Sequence, residues 1–244
     1  MNFELRSYRT KMGGPSLVPF RVVYRESDLL ILAEKELSQE AFKTLLAIRR
    51  DLEDYLSSHP AFLKSLKPLP IDPEAPAVAY KMFLAAKRAR VGPMAAVAGA
   101  IAQEVGQKLL QEGLCQEIVV ENGGDIYLSL KRDATVAILA GKSPLSGKVG
   151  IKVKKRLMPC GICTSSGTVG HSLSLGRADA LCVLAKDTAF ADACATALAN
   201  QIKSPKDLKK LPKILPQIPD LLGVVCIVDE HLLAWGKEIR LVNL

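Results

Sequence analysis

The sequence predicts an α+β fold in which strands and helices share one core. Short apolar segments bounded by glycine, proline or polar residues recur along the 244 residues, as is typical of strands. Longer segments between them repeat their apolar residues at helical spacing, as in residues 38–57. With 49% apolar but only 5% aromatic residues, the chain can bury one sizeable core or two closely packed halves.

The first part of the chain begins with strands and continues with helices. Residues 3–10 alternate apolar with charged side chains, which predicts a strand. A hairpin follows over residues 20–24 and 29–33, and a helix begins at Ser38 as its N-cap. Pro93 lies where a first helical turn accepts proline. The predicted helices here span residues 38–57, 77–87 and 92–112, and the proline-rich residues 67–76 connect the first two.

The second part is mostly short apolar segments, with a helix over residues 187–203 that begins at Asp187 as its cap. Residues 204–216 are basic and contain several prolines, and they separate this helix from the last three predicted strands. The recurring order of helices and strands predicts two similar halves, roughly 1–135 and 136–244, of mixed or antiparallel sheet packed with helices in a single domain. The predicted strands are 118–120, 126–130, 135–139, 149–153, 161–164, 181–185, 222–228, 231–235 and 239–242.

Composition narrows the class of protein. No segment approaches ~18 uninterrupted apolar residues and the first residues are charged, so we expect a cytoplasmic protein without a membrane segment. Six cysteines, most of them in apolar segments, predict reduced thiols rather than disulfides, with Cys115, Cys182, Cys194 and Cys226 in the core. The net charge of +8 lacks a nucleic-acid motif, and we interpret it as a solvated face that attracts phosphate-bearing small molecules. Alanine-rich helices with few aromatic residues also permit a homodimer.

Asp192 and Thr196 stand at positions i and i+4 in the segment ADACATALAN. They share one face of a helix that is otherwise small and apolar, so a carboxylate and a hydroxyl project together from a buried element. One interpretation is internal hydrogen bonding, with Thr196 bonding back to its own helix. The other is a metal held by hard oxygen ligands.

The segment ENGGDI, residues 121–126, predicts two strands joined by a tight turn. Gly123 and Gly124 allow positive φ and a close approach of the backbone, while Asn122 and Asp125 can bind across the turn. This turn is either hairpin chemistry alone or part of a binding site.

The segment CGICTSSGTVGHS, residues 160–172, concentrates small hydrogen-bond donors on a chain that can turn tightly. Backbone amides and hydroxyls in such a loop can hold a phosphate group. Cys160 and Cys163 also form a CxxC pair, which raises metal or redox chemistry. A nucleophilic Cys163 with His171 as its base is a further hypothesis.

These segments together carry a resemblance to a known family. ENGGDI, the Thr-Ser-Ser-Gly turn, His171 and ADACATALAN follow the order of the motifs of the ApbE-like superfamily. VGPMAAVAGAIA, GICTSSGTVGHSLSLGRADA and FADACATALAN are more closely similar to the UPF0280 family, an uncharacterised branch of that superfamily. The likeness spans nearly the whole chain and implies the ApbE-like fold.

The resemblance also implies a chemistry. ApbE enzymes are magnesium-dependent flavin transferases that cleave FAD and attach FMN to a threonine of a partner protein, and some hydrolyse FAD. Asp192 and Thr196 match their metal ligands, with a backbone carbonyl near Ala96 as the third, so Mg and a flavin, FAD or FMN, are the implied cofactor and ligand. The candidate catalytic residues are Asp192, which the resemblance implies, and Cys163 and His171, which come from the composition of their segment. The candidate ligand-binding residues are Asn122, Gly123, Gly124, Asp125, Thr164, Ser165, Ser166 and Gly167.

The sequence also departs from the flavin transferases. Residues 91–102 contain no lysine where those enzymes carry one, and their HIIDPRTG segment is reduced to HSLSLGRADA. The first hypothesis is therefore a Mg-dependent enzyme acting on a flavin or another pyrophosphate nucleotide. The second is a Cys163-dependent thiol enzyme in sulfur metabolism. The third is a non-catalytic relative that binds a nucleotide without turning it over.

Overall fold

The computed structural model of the protein describes Arg9 and residues 16–167 and 176–244. Short apolar segments form strands because alternate side chains bury on opposite faces of a sheet. The strands are β1 (Val18–Tyr24), β2 (Ser27–Ala33), β3 (Ile118–Asn122), β4 (Asp125–Ser129), β5 (Ala134–Ala137), β6 (Val149–Val153), β7 (Cys160–Ser165), β8 (Ala180–Ala185), β9 (Leu221–Val228), β10 (His231–Trp235) and β11 (Leu241–Asn243).

The helices lie mainly between β2 and β3 and between β8 and β9. Short 3-10 turns accompany them at Pro93–Ala96, Lys155–Leu157, Pro205–Lys210 and Leu215–Gln217. The α-helices are α1 (Ser38–Ser58), α2 (Pro60–Lys64), α3 (Ala77–Ala89), α4 (Val97–Gln111), α5 (Thr188–Ala199) and α6 (Leu211–Ile214).

One antiparallel sheet of eight strands organises the described chain, in the order β1-β2-β3-β4-β7-β8-β9-β10. Strands β5 and β6 lie between β4 and β7 in the sequence but do not join this sheet. They form a second sheet of three strands with β11, in the order β11-β6-β5. Helices α1, α4 and α5 pack against one face of the large sheet, and α3 packs against α4 and α5; together they enclose the main apolar core. The small sheet covers the other face over a second core. The predicted α+β class is confirmed, while the division into two similar halves stays a prediction.

Most predicted elements are found with ends shifted by one or two residues, as is usual for assigned boundaries. Asp187 is the N-cap of α5, because its side chain accepts a hydrogen bond from the Phe190 backbone amide at 2.9 Å. The predicted strand over residues 3–10 lies outside the described residues, apart from Arg9. No described helix is long and apolar enough to cross a membrane. All six cysteines are free and buried. This confirms the core prediction for Cys115, Cys182, Cys194 and Cys226, and Cys160 and Cys163 are buried as well.

Three helix predictions were wrong in detail. Ser38 does not cap α1, since its hydroxyl bonds Glu36 at 2.6 Å and no side chain caps that helix. The segment predicted as one helix over 92–112 begins with a 3-10 turn, Pro93–Ala96, before α4 starts. Helix α5 ends at Ala199 rather than near residue 203, where the backbone instead turns and Ile202 accepts the Arg177 amide.

Candidate functional site

Helix α5 lies close against both β7 and α4 because two glycines leave room for it. A Cβ at Gly161 on β7 would lie 2.5 Å from Thr188 Cα, and one at Gly99 on α4 would lie 2.6 Å from the Thr188 carbonyl oxygen. Six of the ten buried residues of α5 are alanine or cysteine. These small residues bring Asp192, on the same helix, into the layer between the sheet and α4.

Asp192 caps the start of α4 from a different helix. Its Oδ2 accepts a hydrogen bond from the Gly99 backbone amide at 2.9 Å, in the first turn of α4, where amides have no partner within the helix. A carboxylate is favourable there because the helix dipole presents positive charge. Ala96, which precedes α4, is buried in the adjoining 3-10 turn, and Thr196 follows Asp192 by one turn on α5.

The glycine turn between β3 and β4 is tied to the same place. Gly123 and Gly124 have φ of 68° and 103°, as the hairpin prediction required. Asn122 donates from Nδ2 to the Ala98 carbonyl oxygen at 3.1 Å, which holds the end of β3 against the start of α4. The Gly124 amide donates to Glu121 Oε1 at 2.9 Å.

Glu121 supports this turn from the other face of the sheet. It is only 1% exposed, and its Oε2 receives the Arg9 guanidinium, with Nη2 at 2.6 Å and Nε at 2.7 Å. Arg9 Nη1 also reaches Asp28 Oδ1 at 2.8 Å. The turn therefore rests on a buried ion-pair network that compensates the charge of Glu121.

Asp125 begins β4 on the face that meets the helices. It is 8% exposed and pairs in register with Asn122 on β3 and Cys163 on β7. Its Oδ1 is buried and has no hydrogen-bond partner among the described residues. The pKa of Asp125 is raised well above its ordinary value, first by burial and then by the negative charge of Asp192.

The pKa of Asp192 is raised to about 7. Burial is the main cause, and the hydrogen bonds from the Gly99 and Ala98 amides oppose it by favouring the ionised form. Two carboxyl groups thus lie buried near one another at the start of α4. They repel each other when both are ionised, unless a cation compensates them.

The donor set at this site suits a hard cation. The described residues contain no group of three or more His, Cys, Asp or Glu side chains placed to hold a metal, so carboxylates alone would not complete a coordination shell. Magnesium accepts carbonyl and hydroxyl oxygens and usually keeps several waters. The Thr196 hydroxyl and the Ala96 carbonyl are the additional oxygens that the family resemblance implies as ligands together with Asp192.

The two cysteines of the CxxC pair do not face each other. They stand at odd spacing on β7, so alternation places Cys160 in the core beneath the small sheet and Cys163 in the core beneath the helices. Cys163 is fully buried, and its Sγ donates to the Thr188 carbonyl oxygen at 3.3 Å. Burial raises its pKa well above the ordinary value. These surroundings favour a neutral thiol and do not support Cys163 as a nucleophile.

The predicted phosphate loop is only partly described. Thr164 and Ser165 lie on β7, where the Thr164 hydroxyl contacts Cys182 Sγ at 3.1 Å on the face away from Asp192. A Cβ at Gly167 would lie 2.2 Å from the Gly176 carbonyl oxygen. A Cβ at Gly176, in turn, would lie 2.0 Å from the Ala199 carbonyl oxygen, so Ser166 and Gly167 approach the end of α5. His171 lies outside the described residues.

Sequence reasoning missed Gln103. This residue is 7% exposed on α4, and its Oε1 accepts hydrogen bonds from the Thr188 amide at 2.7 Å and the Ala189 amide at 3.3 Å. The sequence offered one indication of its role, since Gln103 is the single amide side chain in the alanine-rich segment VAGAIAQEVG. Thr188 was missed as well, although it precedes Asp192 by one helical turn, and its buried hydroxyl has no partner among the described residues.

Comparison with known proteins places the sequence in a family. A family model described as AbpE bacteria matches residues 10–214. A UPF0280 protein of Methanocaldococcus jannaschii is 37% identical over 229 residues, covering 91% of this chain and 92% of the relative. A UPF0280 protein of Methanothermobacter thermautotrophicus is 42% identical over 203 residues, covering 81% of this chain and 78% of the relative.

Solved structures give the same fold. The flavin transferase ApbE from Vibrio cholerae superposes with a TM-score of 0.59 at 13% identity, covering 91% of this chain and 97% of that chain. The flavinyl transferase ApbE of Pseudomonas stutzeri, in its apo form, gives a TM-score of 0.55 at 15% identity, covering 93% and 94%. Likeness at this level of identity concerns the fold, and the sequence matches concern the family. The chain therefore belongs to the UPF0280 family, matches the AbpE bacteria family model and has the ApbE-like α+β fold.

Proposed function

We propose that this protein is a magnesium-dependent enzyme acting on a flavin or another nucleotide that contains a pyrophosphate. The observation that carries the proposal is the buried carboxylate of Asp192 at the start of α4, with a second buried carboxyl group, Asp125, close to it. Buried carboxylates without a cation are costly, and sites that perturb carboxyl pKa values are frequently functional.

The ligand class comes from the family and from the surrounding groups. The structural neighbours that share this fold are named flavin transferases. The segment through Ser166 and Gly167 approaches the end of α5. A glycine-containing segment is a suitable group for binding phosphate oxygens. The absence of lysine from residues 91–102 favours a ligand held differently from the FAD of the flavin transferases.

In this proposal Asp192, the Thr196 hydroxyl and the Ala96 carbonyl hold the magnesium ion. When bound, magnesium supplies Lewis-acid polarisation of a phosphate oxygen. The protein contributes orientation: the Gly99 amide fixes the Asp192 carboxylate, and the Asn122 amide fixes the turn beside it. The Cys163 thiol stays buried and neutral in this reaction.

Calorimetric titration tests the proposal. Magnesium is titrated into the apoprotein, and FAD, FMN and ADP are then titrated with magnesium or with EDTA. Asp192→Asn keeps an oxygen that can accept the Gly99 amide but removes the charge, so we expect it to lose magnesium binding and magnesium-dependent nucleotide binding. Asp207→Asn is the matched control, because Asp207 is a buried aspartate of the capping box at Ser204.

Product analysis separates the remaining hypotheses. Mass spectrometry of FAD incubated with the protein and magnesium should show cleavage to an FMN-containing product. Magnesium-dependent binding without any product would favour the non-catalytic relative. If no nucleotide binds under any condition, the proposal is wrong, although the fold and family remain.

A further inference from the structure

We propose that Asp125 is a direct ligand of the magnesium ion, in addition to the Asp192 carboxylate, and this inference rests on the proposed function. The glycine turn that carries Asp125 would then belong to the metal site itself, rather than only bordering the nucleotide. Asp125 Oδ1 would be the coordinating atom.

Two independent routes through the structure bring Asp125 to Asp192. On the first, Asp125 is the register partner of Asn122, whose side chain bonds Ala98. The next residue, Gly99, donates its amide to Asp192. A pair of neighbouring backbone positions on α4 therefore holds both the turn and the carboxylate.

The second route runs through the sheet. Asp125 is also the register partner of Cys163, and the Cys163 thiol donates to the Thr188 carbonyl oxygen at 3.3 Å. Thr188 precedes Asp192 by one turn on α5, so the two residues share a helix face. Both routes converge on the same layer, between the sheet and the start of α4.

The hydrogen bonding of Asp125 leaves one oxygen available. The Thr164 backbone amide and the Cys163 thiol both contact the carboxyl group, but the thiol donates its proton to the Thr188 carbonyl oxygen. Oδ1 is buried and has no hydrogen-bond partner among the described residues. Buried polar atoms in proteins are nearly always satisfied, so an orphaned carboxylate oxygen beside a second carboxylate indicates a missing positive partner. Arg9, the cation on the other face of the same turn, is engaged by Glu121 and Asp28.

A divalent cation satisfies this arrangement better than a proton on either residue. A cation bound by both Asp125 Oδ1 and the Asp192 carboxylate would attract each carboxylate and so offset the repulsion between them. Magnesium is commonly bound through one or two carboxylates, with water and ligand phosphates completing its shell. Removing the Asp125 charge should therefore have opposite effects on the metal-free and the metal-bound protein.

The test compares Asp125→Asn, Asp192→Asn and the control Asp207→Asn in the full chain. Magnesium affinity is measured by calorimetry, and the melting temperature is measured at pH 8 in EDTA and in excess magnesium. We expect Asp125→Asn to raise the melting temperature in EDTA by several degrees. It should also weaken magnesium binding by at least about tenfold and reduce the stabilisation by magnesium, since even partners outside the coordination shell typically change affinity about 10- to 100-fold.

The outcomes separate this inference from the proposed function. If Asp192→Asn loses magnesium while Asp125→Asn binds it within about twofold of the unmodified protein, Asp125 is not a ligand and the proposed function stands. If the unmodified protein binds no magnesium, both fail. Should Asp125→Asn not fold, as judged by circular dichroism, Asp125→Ser removes the same charge with a smaller side chain, and the same two readouts apply.

Discussion

Gln103 and Asp192 cap the starts of each other's helices. Gln103 on α4 accepts the first amides of α5, and Asp192 on α5 accepts the Gly99 amide in the first turn of α4. The N-cap residue of α4 makes no side-chain cap of its own. At the start of α5, Asp187 caps the Phe190 amide and leaves the first two amides to Gln103. The reciprocal pair fixes the depth at which Asp192 enters the core, and thereby sets the geometry of the candidate site.

Gln103→Met should destabilise the protein by about 1–3 kcal/mol, since buried amide groups of α5 lose their acceptor while the side-chain volume is nearly kept. Urea unfolding followed by circular dichroism measures the change. Gln107→Met is the matched control one turn later on α4, where the lost bond is to the half-buried Lys81. We expect that control to change stability by less than about 0.5 kcal/mol. Equal losses from both variants would mean that the reciprocal cap contributes little.

Stability of the metal-free protein should fall as the pH rises from about 4 to about 7. The pKa of Asp192 is about 7 in the folded protein against an ordinary value of 3.8, so the folded state holds the extra proton in this window. Unfolding then becomes more favourable with increasing pH, because ionisation of the buried group costs more than ionisation in the unfolded chain. Each unit of pKa difference corresponds to about 1.4 kcal/mol.

Melting temperatures recorded in EDTA across this pH range measure the effect. Asp192→Asn should make the profile less steep, and the raised pKa of Asp125 should account for the slope that remains. Excess magnesium should flatten the profile of the unmodified protein, because the ion stabilises the ionised carboxylates. A profile that is equally steep with Asn at position 192 would assign the pH dependence to other groups.

The sequence predicted the elements of this site better than their connections. The helical spacing of Asp192 and Thr196 and the glycine turn at Gly123 and Gly124 were read from local patterns, since both depend on residues close in the chain. The Asp192 to Gly99 bond joins residues far apart in sequence, and neither has a local pattern that names the other. The family resemblance, rather than periodicity, supplied the link between these segments.

Strand alternation explains why the CxxC pair was misleading. In sequence Cys160 and Cys163 form a motif that suits metal or redox chemistry, but on a strand the odd spacing sends them into different cores. Whether the two cysteines can act together depends on whether their segment is a loop or a strand. The prediction of a strand over residues 161–164 already contained the answer, because two ligands on opposite faces cannot bind one ion.

Arg9→Gln should cost about 3–5 kcal/mol of stability, because Glu121 is 1% exposed and would lose the cation that compensates its charge. The ion pair of Arg156 with Glu238 is the control. Arg156 is largely exposed, so Arg156→Gln should cost less than about 1 kcal/mol. Chemical denaturation of both variants provides the comparison. A loss after Arg9→Gln as small as in the control would show that Glu121 is stable without this partner.

Cys163 should resist alkylation in the native protein, because its thiol is fully buried and its pKa lies well above the ordinary value. Iodoacetamide at pH 8, followed by peptide mass spectrometry, should label it only after urea is added. Cys163→Ala should also keep magnesium binding within about twofold, since no thiolate takes part in the proposed site. Rapid native labelling of Cys163 ahead of Cys194 and Cys226, two other buried cysteines, would instead mean that the thiol becomes accessible and ionised in solution. That result would favour the thiol enzyme over the magnesium enzyme, because a reactive thiolate needs surroundings opposite to those that hold Cys163 neutral.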